Sequence, residues 1–125
     1  MKTVTSIGAQ GDVLFRRVGA LPEDVTRQAR EGRAIVVAHS ETGHHHVVET
    51  ERVELYLGKD PLVSYLRLEG EFADVEHLRA FDTHETLRLL GRSDGETIFE
   101  VRRQREYKRL PGPRDPNGGF TQVAD

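Results

Sequence analysis

Residues 35–57 read Ile35-Val36-Val37-Ala38-His39-Ser40-Glu41-Thr42-Gly43-His44-His45-His46-Val47-Val48-Glu49-Thr50-Glu51-Arg52-Val53-Glu54-Leu55-Tyr56-Leu57. The first four side chains are all apolar, and the run from Arg33 to His39 has the composition of a strand buried on both faces. Ser40-Glu41-Thr42-Gly43 is a turn signal. After it, 45–49 suit a short strand, and 52–57 alternate: Val53, Leu55 and Leu57 point one way, Arg52, Glu54 and Tyr56 the other. Strand, turn and strand within so short a span predict antiparallel β-structure.

The flanks repeat the pattern. Residues 13–18 form a strand with Val13, Phe15 and Arg17 on one face, preceded by the Gly11-Asp12 break. Gly58-Lys59-Asp60-Pro61 is a hairpin-type turn, and the strand after it carries Leu62, Ser64, Leu66 and Leu68 on one face. Glu69-Gly70-Glu71 reads as another turn. Phe72, Val75, Leu78 and Phe81 recur every three residues, which suits a short helix or an irregular link over 72–82. A strand over 83–89 then leads to a loop at 91–95, consistent with a hairpin. The last strand spans 97–107. Pro22 with two acids behind it, and Gly32 further on, fit the ends of a helix over 22–31, but Val25 and Ala29 are its only apolar side. Turn signals about every ten residues predict an all-β protein, a small antiparallel β-barrel or sandwich with at most one short helix. The expected organisation is one β domain over 1–110 and a C-terminal segment, 111–125, rich in proline and glycine.

Composition narrows the classes. The chain has 125 residues, enough for one domain with a modest core. It is 36% hydrophobic and 31% charged, with no tryptophan, so a thin core or stabilisation by oligomerising is expected. A net charge of −3 gives no overall attraction to nucleic acid or an anionic membrane. Without cysteine there are no disulfides, thiolate metal sites or cysteine nucleophiles. The N-terminus has no signal-peptide core and no segment has the roughly 20 apolar residues of a membrane helix, so a cytoplasmic location is expected.

Four of the six histidines, His39, His44, His45 and His46, lie in the quoted segment. Extended backbone puts His44 and His46 on one face and His45 on the other. Two imidazoles at i and i+2 converge well on one ion, and imidazole with carboxylate suits a divalent transition metal. Further ligands must come from His39, Glu49, Glu51 or His84. A solvated histidine turn fits the same residues, as does a metal-free acid–base group of His44, His46, Glu49 and Glu51. His77 reads as exposed.

A basic stretch, Arg102, Arg103, Arg105, Lys108 and Arg109 with Tyr107 among them, closes the domain. Arginine with tyrosine suits a protein partner, so Arg103, Arg105 and Tyr107 are candidate contacts. The same residues suit phosphate and bases, and a solvated strand edge paired with glutamate.

Two resemblances follow. His44-x-His46, four residues, Glu51, six residues, Gly58 resembles the second part of the first cupin motif. That resemblance implies a small β-barrel with His44, His46 and Glu51 around one metal and His84 as a candidate to complete the shell. The glycine of that motif is Ala38 here, and the second cupin motif is not found around His77 or His84. Over most of its length the chain also resembles a group of short uncharacterised proteins from bacteria, phages and mobile elements. Gly11-Asp12-Val13-Leu14, Thr42-Gly43-His44 with His46, Val101-Arg102-Arg103-Gln104-Arg105-Glu106-Tyr107 and Val123-Ala124-Asp125 carry it. Where those proteins have His-Glu-Glu-His, this chain has His84-Glu85-Thr86-Leu87. The functions left open are a metal-binding barrel of cupin-like kind; an accessory module acting as homo-oligomer or with a protein partner; and nucleic-acid contact through 102–109.

Overall fold

The computed structural model describes residues 1–30, 32–38, 45–77 and 84–103. These form nine strands and no helix: β1 (Lys2–Val4), β2 (Ile7–Gln10), β3 (Val13–Val18), β4 (Thr26–Arg27), β5 (Ala34–Ala38), β6 (His46–Glu49), β7 (Val53–Leu57), β8 (Val63–His77) and β9 (His84–Arg103). They make one sheet curled into a half-barrel. All pairings are antiparallel except β1 beside β9.

The centre is the long ribbon of β8 and β9. Its first half, from Val63↔Arg102 to Glu69↔Glu96, is flanked by β7 and then β4 on one side and by β3 and then β2 on the other. Its second half, from Gly70↔Arg92 to His77↔His84, is flanked by β6 and then β5, and across β9 by β1.

The ribbon bends where two turns are predicted. At 69–71 the chain does not reverse; β8 continues, with Gly70 at φ +104°. At 91–95 no hairpin forms either. Glu69 pairs with Glu96 but Gly70 pairs with Arg92, so Ser93, Asp94 and Gly95 are an outward bulge within β9. Leu66 and Leu68 are buried before the bend, Ala73, Val75 and His77 after it. The inward set thus changes from even to odd numbers, as an irregular register requires when the same face must stay inside. Residues 72–77 are strand, with Ala73, Val75 and His77 alternating inward, so the spacing of three from Phe72 to Val75 joins an exposed residue to a buried one. Phe72, first in the expected helical stripe, is exposed with the Arg88 guanidinium 3.9 Å from its ring centre. Leu78 and Phe81 lie outside the described residues.

Gly91 makes the bend possible. A Cβ there would stand 2.4 Å from the Gly70 carbonyl oxygen and 2.9 Å from Leu68 Cδ2. Two backbones meet where only glycine leaves room.

The other expected helix is also absent. Among residues 22–30, Thr26 and Arg27 add β4 to the edge of β7, and the Gln28 amide donates to the Leu55 carbonyl. Two apolar side chains are too few to hold a helix on the core. Arg30 donates to the carbonyls of Arg33, Thr50 and Val53, tying this connection to the β6–β7 turn.

One core spans both halves of the ribbon, with Phe15, Phe99, Leu66, Leu68, Leu87, Leu89 and Val75 all buried in it. Val53 and Leu55 are buried as their alternation predicts, while Leu57 is exposed. β5 is not buried on both faces. It ends the strand order, with Ile35 and Val37 inside, Ala34 exposed and Val36 half-buried, and a register shift between Val36 and Ala38. The last strand reaches Arg103; the expected continuation over 104–107, like the segment 111–125, lies outside the described residues.

The outward face of the first half carries a polar ladder. Glu54 accepts from Tyr56, Arg67 and Arg27, and Arg67 also donates to Glu96. The Tyr56 hydroxyl first, then the two guanidiniums, hold the Glu54 carboxyl below its ordinary value of 4.5 against the opposing effect of burial. A depressed folded-state value contributes stability that is complete above about pH 4.5 and lost as pH falls.

Two outcomes check this fold. Gly91→Ala should destabilise the protein by about 2–3 kcal/mol in urea unfolding. Gly19→Ala, where nothing lies within 4 Å of the added carbon, should be neutral or stabilising by up to about 1 kcal/mol; equal losses would mean that the ribbon does not close on Gly91. Glu54→Gln should flatten the fall of stability between about pH 4.5 and pH 3 while changing its pH dependence near neutrality little.

Candidate functional site

The β2–β3 hairpin has a two-residue turn, Gly11-Asp12, between Gln10 and Val13. Val13 pairs with Arg103 at one end of the ribbon, yet the Gln10 side chain reaches the other end. Its amide nitrogen donates to the carbonyls of Val75 at 2.8 Å and Glu85 at 3.1 Å. The bend therefore brings the two ends of β8 and β9 close, and Gln10 fastens them.

Beneath this turn lie two buried histidines. His46 begins β6 and pairs in register with His77 of β8, which pairs in turn with His84 of β9. Three histidines thus occupy one cross-strand row. The His46 and His77 rings stack with centroids 3.9 Å apart and planes 14° from parallel. Gly11, at φ +62°, roofs the stack: a Cβ there would stand 2.9 Å from His77 Cε1 and 3.6 Å from His46 Cε1.

Hydrogen bonding fixes the His46 tautomer. Both N–H bonds of the Gln10 amide go to carbonyls, so its oxygen is the acceptor presented to His46 Nδ1, 2.8 Å away. Nδ1 must then carry the proton and donate it. In the neutral ring the lone pair sits on Nε2, which lies 3.8 Å from the Asp12 carboxylate. The Gln10 amide oxygen thereby fixes the orientation of the buried His46 ring.

His77 does not serve as a second ligand in this arrangement. Imidazole lone pairs lie in the ring plane, and two planes stacked nearly parallel at 3.9 Å do not share a point where one ion could sit. Among the described residues, no three histidine, aspartate or glutamate side chains gather as a metal-holding group.

The residues singled out in the sequence are placed as follows. His46 is at the centre. His44 and His39 lie outside the described residues, and His84 enters the row at its register position. Glu51 is exposed in the turn beyond the far end of β6. Its neighbour Arg52 accepts from the Glu69 amide, whereas His46 pairs with His77, roughly 25 Å of extended strand further along β8. Glu51 and His46 are therefore not brought together, and the described residues do not assemble the cupin-like His-His-Glu group. Arg103 is half-buried, pairs with Val13 and donates its amide to the Leu62 carbonyl; Arg105 and Tyr107 lie outside the described residues.

Three residues of the site escape a sequence reading. His77 is buried, not exposed, because β8 continues past its bend and turns that side chain inward. Gln10 and Asp12 flank a glycine that signals a turn, but nothing local says what the turn covers.

The network has a direct check. Nitrogen NMR of the imidazoles near neutral pH should find neutral His46 as its Nδ1–H tautomer; an Nε2–H ring would overturn the Gln10 orientation. Gln10→Leu, which removes three hydrogen bonds, two of them buried, should cost about 2–4 kcal/mol in denaturant unfolding.

No curated protein and no solved structure matches the chain significantly. No helix among the described residues is long and apolar enough to cross a membrane. One family model does match, over residues 9–104, from the strand that carries Gln10 to the end of β9, and on that extent the chain belongs to the family described as a domain of unknown function (DUF8820).

Proposed function

We propose that this domain binds a divalent transition metal ion at the end of the half-barrel roofed by Gly11, with His46 Nε2 as its first ligand. The carrying observation is the Gln10 amide, which orients the buried His46 imidazole through Nδ1–H at the end of the half-barrel beside Asp12. Asp12 supplies the nearest carboxylate, 3.8 Å from that nitrogen. Two donors each about 2.0–2.2 Å from one ion can stand this far apart at a widened tetrahedral angle. His44, two residues before His46, and His84, in the same cross-strand row, are the candidates to complete the shell.

Nitrogen and oxygen donors without sulfur suit zinc, iron, nickel, copper or manganese. An ion held by few protein groups keeps positions for water or a substrate, where it acts as a Lewis acid. Glu51 is not part of this proposal, since it lies beyond the far end of β6.

Elemental analysis of untagged protein, with zinc and cobalt titrations, tests the site. About one ion per chain is expected. Asp12→Asn, at an exposed turn position, should weaken binding roughly tenfold. His46→Asn should abolish it while circular dichroism still reports β-structure. Absence of saturable zinc or cobalt binding, or binding indifferent to both substitutions, would remove the proposal.

A further inference from the structure

The connection from β3 to β4, residues 19–25, joins opposite edges of the first half-sheet, with β9, β8 and β7 between them. Those strand spacings add up to about 19 Å, and the chain from Val18 to Thr26 extends to at most about 29 Å. A connection this short runs directly across one face. The inner face is filled by the core, so the outer face is the one crossed.

Two buried side chains mark its path. Ile98 and Val63 are 6% and 8% exposed, yet neither belongs to the hydrophobic core cluster. Ile98 alternates with the inward Phe99, and Val63 has the opposite parity to the inward Leu66 and Leu68, so both point outward. Leu21 lines a cleft of about 390 Å³ together with Ile98. Pro22 and Val25 line another, of about 250 Å³, together with Val63 and Tyr65.

The connection is held lightly. Its ends are fixed, Val18 in register with Ile98 and Thr26 with Leu57. Between them, among the described residues, no backbone hydrogen bond outside the strands involves 19–25. Asp24 lies 3.4 Å from Lys59, with both side chains exposed, and such a pair holds little in water. The remaining hold is the packing of Leu21, Pro22 and Val25, each half-buried. Clefts beside both stretches leave that packing short of the density of a protein interior.

We infer that residues 19–25 form a strap that opens as a unit from the folded sheet, uncovering Ile98 and Val63 and joining the two clefts into one groove. Opening requires three half-buried side chains to leave the sheet. Global unfolding must also separate the core shared by Phe15, Phe99 and Leu66, and segments with few buried contacts open first. Gly19 starts the strap with nothing within 4 Å of an added Cβ, so its backbone turns there without a clash. The strap is separate from the histidine row and requires no metal.

The chain has no cysteine, so single introduced thiols report exposure. Ile98→Cys and Val63→Cys are labelled with a thiol reagent in the native full chain at rising urea, beside Val75→Cys in the core, and the global stability of each variant is measured by unfolding. At positions 98 and 63, labelling at least tenfold faster than that variant's unfolding equilibrium permits is expected. It should depend little on low urea, because opening exposes little surface. Val75→Cys should label only as global unfolding permits. Adding Leu21→Ala should speed labelling at position 98 roughly tenfold beyond its effect on global stability. Labelling at positions 98 and 63 with the urea dependence of global unfolding, or labelling indifferent to Leu21→Ala, would overturn the inference.

Discussion

The close approach of Gly91 to the Gly70 carbonyl is the constraint on which the rest of the structure depends. A straight β8–β9 ribbon would hold its two ends far apart. Bent at this point, it forms two half-sheets around one core and brings Val75 and Glu85 within reach of the β2–β3 turn. The backbone contact needs a residue without Cβ, and the neighbouring φ of +104° at Gly70 needs a residue tolerant of that conformation. Three extra residues on β9 absorb the difference in path between inner and outer strands of the bend.

Gln10 converts that shape into a site. It is buried because the hairpin tip closes over the far end of the ribbon, which shields its amide from solvent. Each of its hydrogen bonds is therefore made to a definite partner, two carbonyls and one imidazole. The direction of that chain of bonds follows from the carbonyls, which can only accept. The chemistry offered by His46 is in this sense set by backbone atoms of β8 and β9.

The outward face works differently. Its charged pairs sit in water: Asp74 with Arg88 at 2.8 Å, Glu54 with Arg67 and Arg27, Glu96 with Arg67. Pairs of this kind contribute little to stability individually. They do hold their guanidiniums in place. The resemblance to cupins rested on histidine and glutamate spacing, and spacing counts residues without saying which way the strand between them runs. Here that strand carries Glu51 away from His46.

The sequence by itself determined the class of fold and much of the core. Alternation gave Val53 and Leu55, Leu66 and Leu68, and Phe99 and Val101 their inward direction, because side chains two apart on a strand share a face. It also marked the histidine segment and the missing cysteines. Tertiary structure decided what alternation cannot encode. The register slip at Gly70, opposite the bulge in β9, shifts the inward parity of β8, and His77, which reads as exposed in the sequence, is buried. A glycine in a loop-like run turns out to be a contact between two distant backbones. Gln10, an ordinary polar residue at the end of a strand, acquires its role from carbonyls 65 and 75 residues away. Such contacts depend on how the chain curves in space, and no local pattern records that curvature.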